Sequence, residues 1–200
     1  PILYAVLYEL KKITDHEFSL FREINSPLQG HPDKHRLKFL HATTGSLGQG
    51  LSIAIGHALG QKIQNSKNPI FCILGDGEMQ EGQVWEGFML APKFNLNNLI
   101  TFIDYNGAQS DGLVSDLLDL EPLKQKITSF NWNVLSISGH NLQEIENSVK
   151  ANINNQNEKP TCIILNTKKG HGVSFMESPE WHAKVPNEEE YKKAIEELSC

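Results

Sequence analysis

Apolar residues recur along this chain in two rhythms, and each predicts a different element. Four short runs are continuously apolar and stop at polar or glycine punctuation. They are residues 69–74 (PIFCIL) before Gly75-Asp76-Gly77, residues 99–104 (LITFID) before Tyr105-Asn106-Gly107, residues 132–137, and residues 161–166 (TCIILN). Runs of this length without alternation predict strands covered on both faces. Between them the spacing turns helical, over residues 78–93, 121–130 and 141–155. Strands alternating with helices in this way predict an α/β fold, a parallel β-sheet with helices on both faces.

The flanks follow the same logic. Residues 1–12 (PILYAVLYELKK) predict an amphipathic helix, and residues 15–24 a short one capped by Thr14 or Asp15. Residues 25–45, rich in Pro, Gly, His and Asn, predict loop. TTGSLGQG then runs into LSIAIGHALGQKIQ, a glycine-rich loop feeding a buried helix. Residues 188–198 predict a charged, exposed helix. A chain of 200 residues suits one domain, residues 1–200. It opens at Pro1 rather than Met, so some N-terminal residues are expected to be absent from it.

Composition narrows the classes. A net charge of −6, without a Lys/Arg-dense stripe, argues against a nucleic-acid surface. No apolar stretch reaches the roughly 18 residues that span a bilayer. Cys72, Cys162 and Cys200 are far apart and odd in number. They suggest neither a disulfide framework nor a metal knuckle, and a reducing cytoplasm is the expected location.

The candidate chemistry lies where two strands end. In open parallel sheets, ligands gather beyond the carboxyl ends of the strands. Asp76 follows the first strand and Asn106 the second, so the two side chains meet if those strands are neighbours. One anionic and one neutral oxygen donor suit Mg²⁺ or Ca²⁺, with phosphate oxygens completing the shell. Gly75 and Gly77 would let backbone approach a bulky ligand. A lone Gly-Asp-Gly is a common turn, and Asn106-Gly107 alone is another. The signal is the pair, each member at a strand end, with a helix between.

Gly75-Asp76-Gly77, 28 intervening residues and then Asn106 resemble the signature of thiamine diphosphate enzymes. The fuller strings GDGEMQEGQVWEG and NLITFIDYNG resemble the transketolase family. TTGSLGQGLSIAIG (43–56), LQGHP (28–32) and KKGHGVSFME…WHAKVPN (168–187) agree with it in order. The likeness is greatest to split forms, in which the diphosphate-binding and pyrimidine-binding halves are separate chains.

This resemblance implies thiamine diphosphate and Mg²⁺ (or Ca²⁺) as cofactors. Asp76, Asn106 and the carbonyl of Ala108 would ligate the metal. Gly75 and Gly77 would meet the diphosphate, and Gly45, Leu47 and Gly48 would lie against the aminopyrimidine. His31 would stand near the reactive thiazolium carbon, and His182 near the diphosphate and substrate entrance. Glu81 matches a buried family glutamate that couples sites near the subunit interface. His16, His35 and His57 have no family role and read as surface or helix-packing residues. His140 and His171 sit in glycine-flanked loops near the expected site. Trp85 and Phe88 read as core.

The implied reaction moves a two-carbon ketol unit from a ketose phosphate to an aldehyde, or to a carrier-bound acyl acceptor. The glutamate that activates the pyrimidine lies in the family's other domain. A separate C-terminal subunit is therefore expected to complete the site, in an α2β2 assembly, with no nucleic-acid or membrane partner. Two alternatives stay open. One is a related thiamine diphosphate enzyme, a deoxyxylulose-phosphate synthase or dehydrogenase E1. The other is a non-catalytic assembly subunit. The family's glycine–histidine–alanine segment would precede Pro1.

Overall fold

The computed structural model describes residues 1–153 and 158–199. The chain divides into two compact units, Pro1–Leu47 and Gly48–Cys200.

In the first unit α1 (Ile2–Glu9) and α2 (Asp15–Ser19) are followed by irregular chain. The predicted helix over 1–12 stops early because Lys11 takes a left-handed conformation, φ 57°, with its N–H on the Tyr8 carbonyl. Thr14 caps α2 in a reciprocal box with Glu17, which satisfies donors that a helix start leaves free. Tyr4, Ile13, Leu28 and Leu37 form this unit's small core. The Tyr4 hydroxyl donates to the Gln29 carbonyl at 2.7 Å, so a buried phenol keeps its partner.

The second unit opens with α3 (Gln49–Ile63), then β1 (Ile70–Gly75), α4 (Gly82–Lys93) and β2 (Leu99–Tyr105). A small antiparallel hairpin, β3 (Ala108–Gln109) and β4 (Gly112–Leu113), leads into α5 (Val114–Leu118) and α6 (Leu123–Ser129). Next come β5 (Asn133–Ser138), α7 (Leu142–Ile153), β6 (Thr161–Asn166) and α8 (Glu188–Leu198). Positions 154 and 155 of the helix expected over 141–155 lie outside the described residues, as does Cys200.

The four long strands form one parallel sheet in the order β1-β2-β6-β5, so β1 and β2 are neighbours. On one face Cys72, Leu74, Ile103, Cys162 and Ile164 pack beneath α3, α4 and α6. Helices α3 and α4 approach closely at Gly87, where an added Cβ would come within 2.8 Å of the Leu51 side chain. Phe88 is fully buried, meets Trp132 edge to face at 4.8 Å, and takes the Trp132 Nε1–H on its carbonyl. At the other end of the sheet α7 is latched by polar contacts. Asn152 Oδ1 accepts from Asn133 Nδ2 at 2.8 Å and from Thr161 Oγ1 at 3.0 Å.

Two further expectations change. The helix expected over 78–93 is broken, with a 3-10 turn over Gly77–Gln80, extended backbone at Glu81, and α4 only from Gly82. The sheet is not evenly covered either: on the outer face of the edge strand β1, Phe71 and Ile73 are exposed.

Candidate functional site

The carboxyl end of the sheet gathers the polar residues of the second unit. Gly75 is level with Asp104 in the β1–β2 register, which brings Asp76 and Asn106 to the same rim. Asp76 caps the 3-10 turn and is 1% exposed. Its Oδ1 accepts from the Gly77 N–H at 2.7 Å and its Oδ2 from the Gly107 N–H at 2.5 Å. Gly107, at φ 76°, is left-handed, and that turn aims its N–H back across the strand ends. Asn106 Oδ1 accepts from the Ala108 N–H at 3.0 Å, while its Nδ2 donates to Asp104 Oδ2 at 3.2 Å. Thr167, just past β6, donates its hydroxyl to Asp104 Oδ1. The ends of β1, β2 and β6 are thus tied together through side chains.

The electrostatics favour a cation. Burial holds the Asp76 carboxyl above its ordinary value of 3.8, and the nearby Asp104 charge adds to this. The N–H groups of Gly107, Gly77 and Asn106 oppose it. A buried carboxylate facing a second carboxylate, with neutral N–H dipoles as its hydrogen-bond partners, gains from a nearby positive charge. Among the described residues no cluster of three His, Cys, Asp or Glu could form a metal cage. The oxygen donors at this rim are the Asp76 carboxylate and the Asn106 amide. Such a set fits a hard ion that brings phosphate and water oxygens with it.

Gly77 is forced by space. An added Cβ would stand 2.9 Å from the Gln109 Cβ, so the turn after β1 packs directly on the hairpin that follows Asn106.

The other expected residues fall in separate places. His31 and Gly45 are brought together within the first unit, where an added Gly45 Cβ would sit 2.5 Å from the His31 ring. Gly45 is also left-handed, at φ 132°. Leu47, in the same unit, is 57% exposed. In the second unit Gly48 begins α3 at φ 81°. His182 ends an exposed 3-10 turn, with Nδ1 3.4 Å from Lys169 Nζ. Glu81 is exposed rather than buried, and it is the extended residue preceding α4. His16, His35 and His57 are on the surface, and Phe88 is core with Trp85 packed against it.

Three contributors were missed. Asp104 and Thr167 hold Asn106 in place, and Glu78 bonds to backbone on two sides: the Gly48 N–H at 2.9 Å and the Gly75 N–H at 3.3 Å. Polar residues at the ends of apolar strands were the available signal for Asp104 and Thr167. His140 and His171 stack at 3.8 Å, with His140 Nε2 accepting from the Lys168 N–H.

Comparison with known proteins bears on this geometry. Residues 2–199 match the family model described as transketolase, thiamine diphosphate binding domain. The chain is 44% identical over 202 residues to a 6-deoxy-6-sulfo-D-fructose transketolase subunit of a Clostridium species (strain MSTE9), covering 99% of this chain and 72% of that protein. It is 37% identical to an apulose-4-phosphate transketolase subunit of Actinobacillus succinogenes, covering 98% of this chain and 70% of that one. It superimposes on the transketolase crystal structure from Campylobacter jejuni with a TM-score of 0.84 and 32% identity, over 92% of this chain. The chain spans only 30% of that structure's chain.

Proposed function

This chain belongs to the family of transketolase thiamine diphosphate-binding domains, and from that premise we propose that it is the diphosphate-binding subunit of a two-subunit transketolase. The supporting observation is the buried Asp76 carboxylate beside Asn106 on the rim of adjacent parallel strands, laced to the Gly77 and Gly107 N–H groups. Asp76, Asn106 and the Ala108 carbonyl would hold Mg²⁺, or Ca²⁺ in its place, and the metal would anchor the diphosphate. Gly75 and Gly77 would lie against that group. Gly45, Leu47 and Gly48 would border the aminopyrimidine, with the exposed Leu47 side chain free to pack on a ring.

When bound, thiamine diphosphate supplies the electron sink that lets a ketose carbon–carbon bond break. The chain's own residues have narrower tasks. His31 would take and return protons on substrate hydroxyls, as a positioned imidazole can, and His182 would contact the diphosphate and line the substrate entrance. Glu81, exposed in this chain, would serve in contact with a second subunit. Residues 1–200 would act together as one diphosphate-binding half.

The substrate is a ketose ending in an anion, either a phosphate or a sulfonate as in the name of the Clostridium relative. The acceptor is an aldehyde or a carrier-bound acyl group. The partner is a C-terminal subunit carrying the pyrimidine-binding domain, in an α2β2 assembly. Buried, unpaired Cys72 and Cys162 suit a reducing cytoplasm. Among the described residues no helix is long and apolar enough to cross a membrane.

The test is turnover. The purified chain, mixed with such a partner, thiamine diphosphate and Mg²⁺, should transfer two carbons from a ketose phosphate, and neither chain should do so alone. Turnover by this chain unaided would refute the two-subunit reading.

A further inference from the structure

We propose that Glu78 is a positioning residue that clamps the start of α3 to the end of β1. The functional consequence rests on the thiamine diphosphate reading, whereas the clamp itself rests on hydrogen bonds. Oε1 of Glu78 accepts from the Gly48 N–H at 2.9 Å, and Oε2 from the Gly75 N–H at 3.3 Å.

Among the described residues neither donor has another acceptor. Gly48 begins α3 and has no side chain with which to cap it, and the first N–H groups of a helix have no intrahelical acceptor. Gly75 ends an edge strand. The N–H groups of Ile70 and Asp76 reach the carbonyls of Asn98 and Asp104, so in this parallel ladder the even-numbered amides face β2. The Gly75 amide therefore points to the open side, where Glu78 returns to meet it. A carboxylate suits two donors at once, because it offers two acceptor oxygens and strengthens both bonds with its charge. Glutamine has one acceptor oxygen, and its NH₂ would oppose the second N–H.

Glu78 reaches these positions because the chain after Gly77 makes a 3-10 turn rather than entering an α-helix. Gly48 and the Gly75–Gly77 turn are two of the backbone segments proposed above to border the cofactor. Holding them at one separation beforehand removes an ordering cost from binding.

The experiment uses the full chain in three forms, wild type, Glu78→Ala and Glu78→Gln. Amide exchange is followed residue by residue by NMR, and thiamine diphosphate affinity with Mg²⁺ by calorimetry in the presence of the partner subunit. Glu78→Ala should lose protection at Gly48 and Gly75 and bind the cofactor about tenfold more weakly, the scale of one charge-assisted bond. Glu78→Gln should keep protection at one of the two glycines and bind with intermediate affinity. A residue that merely supported the fold would give no such graded rescue. Unchanged protection at both glycines in Glu78→Ala, or an affinity equal to wild type, would overturn the proposal. If Glu78→Ala does not fold, Glu78→Gln decides, and full protection at both glycines would be the refuting result. A wild-type chain that fails to bind the cofactor sinks the thiamine diphosphate reading, while exchange at the two glycines still decides the clamp.

Discussion

Replacing Gly77 by alanine probes the contact between the turn after β1 and the hairpin after β2. Gly77 does not have a positive φ, so alanine can adopt its backbone conformation and the penalty comes from space. The new Cβ would meet the Gln109 Cβ at 2.9 Å and Oε1 at 3.0 Å. A Cβ cannot swing aside, so the hairpin bearing Ala108 must shift. Overpacking of this kind costs about 1–3 kcal/mol. A lower unfolded-state entropy returns about 0.4–1 kcal/mol, leaving a net loss between about 0 and 2.6 kcal/mol. Gln109→Gly removes the opposing carbon at a cost of about 0.5–1 kcal/mol of its own. The two changes should then couple favourably, by about 1 kcal/mol or more, in a double-mutant cycle. Urea unfolding of the four proteins measures this, and thermal midpoints should move about 2–4 °C per kcal/mol for a chain of this size. Additivity within about 0.5 kcal/mol, or a Gly77→Ala protein more stable than wild type, would show that the turn and hairpin are not in contact as described.

Burial and the Glu78 charge push the Cys72 thiol from 9.0 up to about 12, and burial raises Cys162 as well. At pH 8 the Cys72 thiolate is on the order of one part in ten thousand. In a Cys200→Ser background, Ellman's reagent should label neither thiol until denaturant is added, and fast labelling of native protein would contradict this. Phe88→Ala should cost about 3–5 kcal/mol, read by urea unfolding, because it empties the space between Trp85 and Trp132. The Glu190 carboxyl is held below 4.5 by Lys184 and by the Asn187 N–H. Because the folded value lies below the unfolded one, its support for α8 is present above 4.5 and fades as pH falls through the folded value. Helicity followed by circular dichroism should therefore drop on acidification, and earlier in Lys184→Ala than in wild type.

The sheet was legible because four short apolar runs bounded by polar or glycine punctuation favour strands, and each appears within a residue or two of its expected bounds, although the expected cover on both faces fails at β1. The Asp76–Asn106 pairing was legible only conditionally, since strand order is a long-range property, and it is the β1–β2 pairing that meets the condition. The break at Glu81 was not legible. Residues 78–93 carry a helical pattern, but the Glu78 side chain turns back to Gly48 and Gly75, and the Trp85 Nε1–H donates to the Met79 carbonyl at 2.9 Å. These tertiary bonds override local propensity. The hairpin from Ala108 to Leu113 left no trace in the pattern because two-residue strands have no periodicity to read. Exposure of Phe71 and Ile73 was equally hidden, because an apolar run does not say which of its faces is covered.

The central claim is that Asp76 and Asn106 hold a metal that anchors a diphosphate. Its most direct test is a calorimetric titration of the chain with thiamine diphosphate in Mg²⁺, repeated with chelator and with Asp76→Ala, with the partner subunit present. The account predicts binding that requires Mg²⁺ and that Asp76→Ala abolishes. Binding of equal strength in chelator or in Asp76→Ala, or no binding by the wild-type pair, would contradict it.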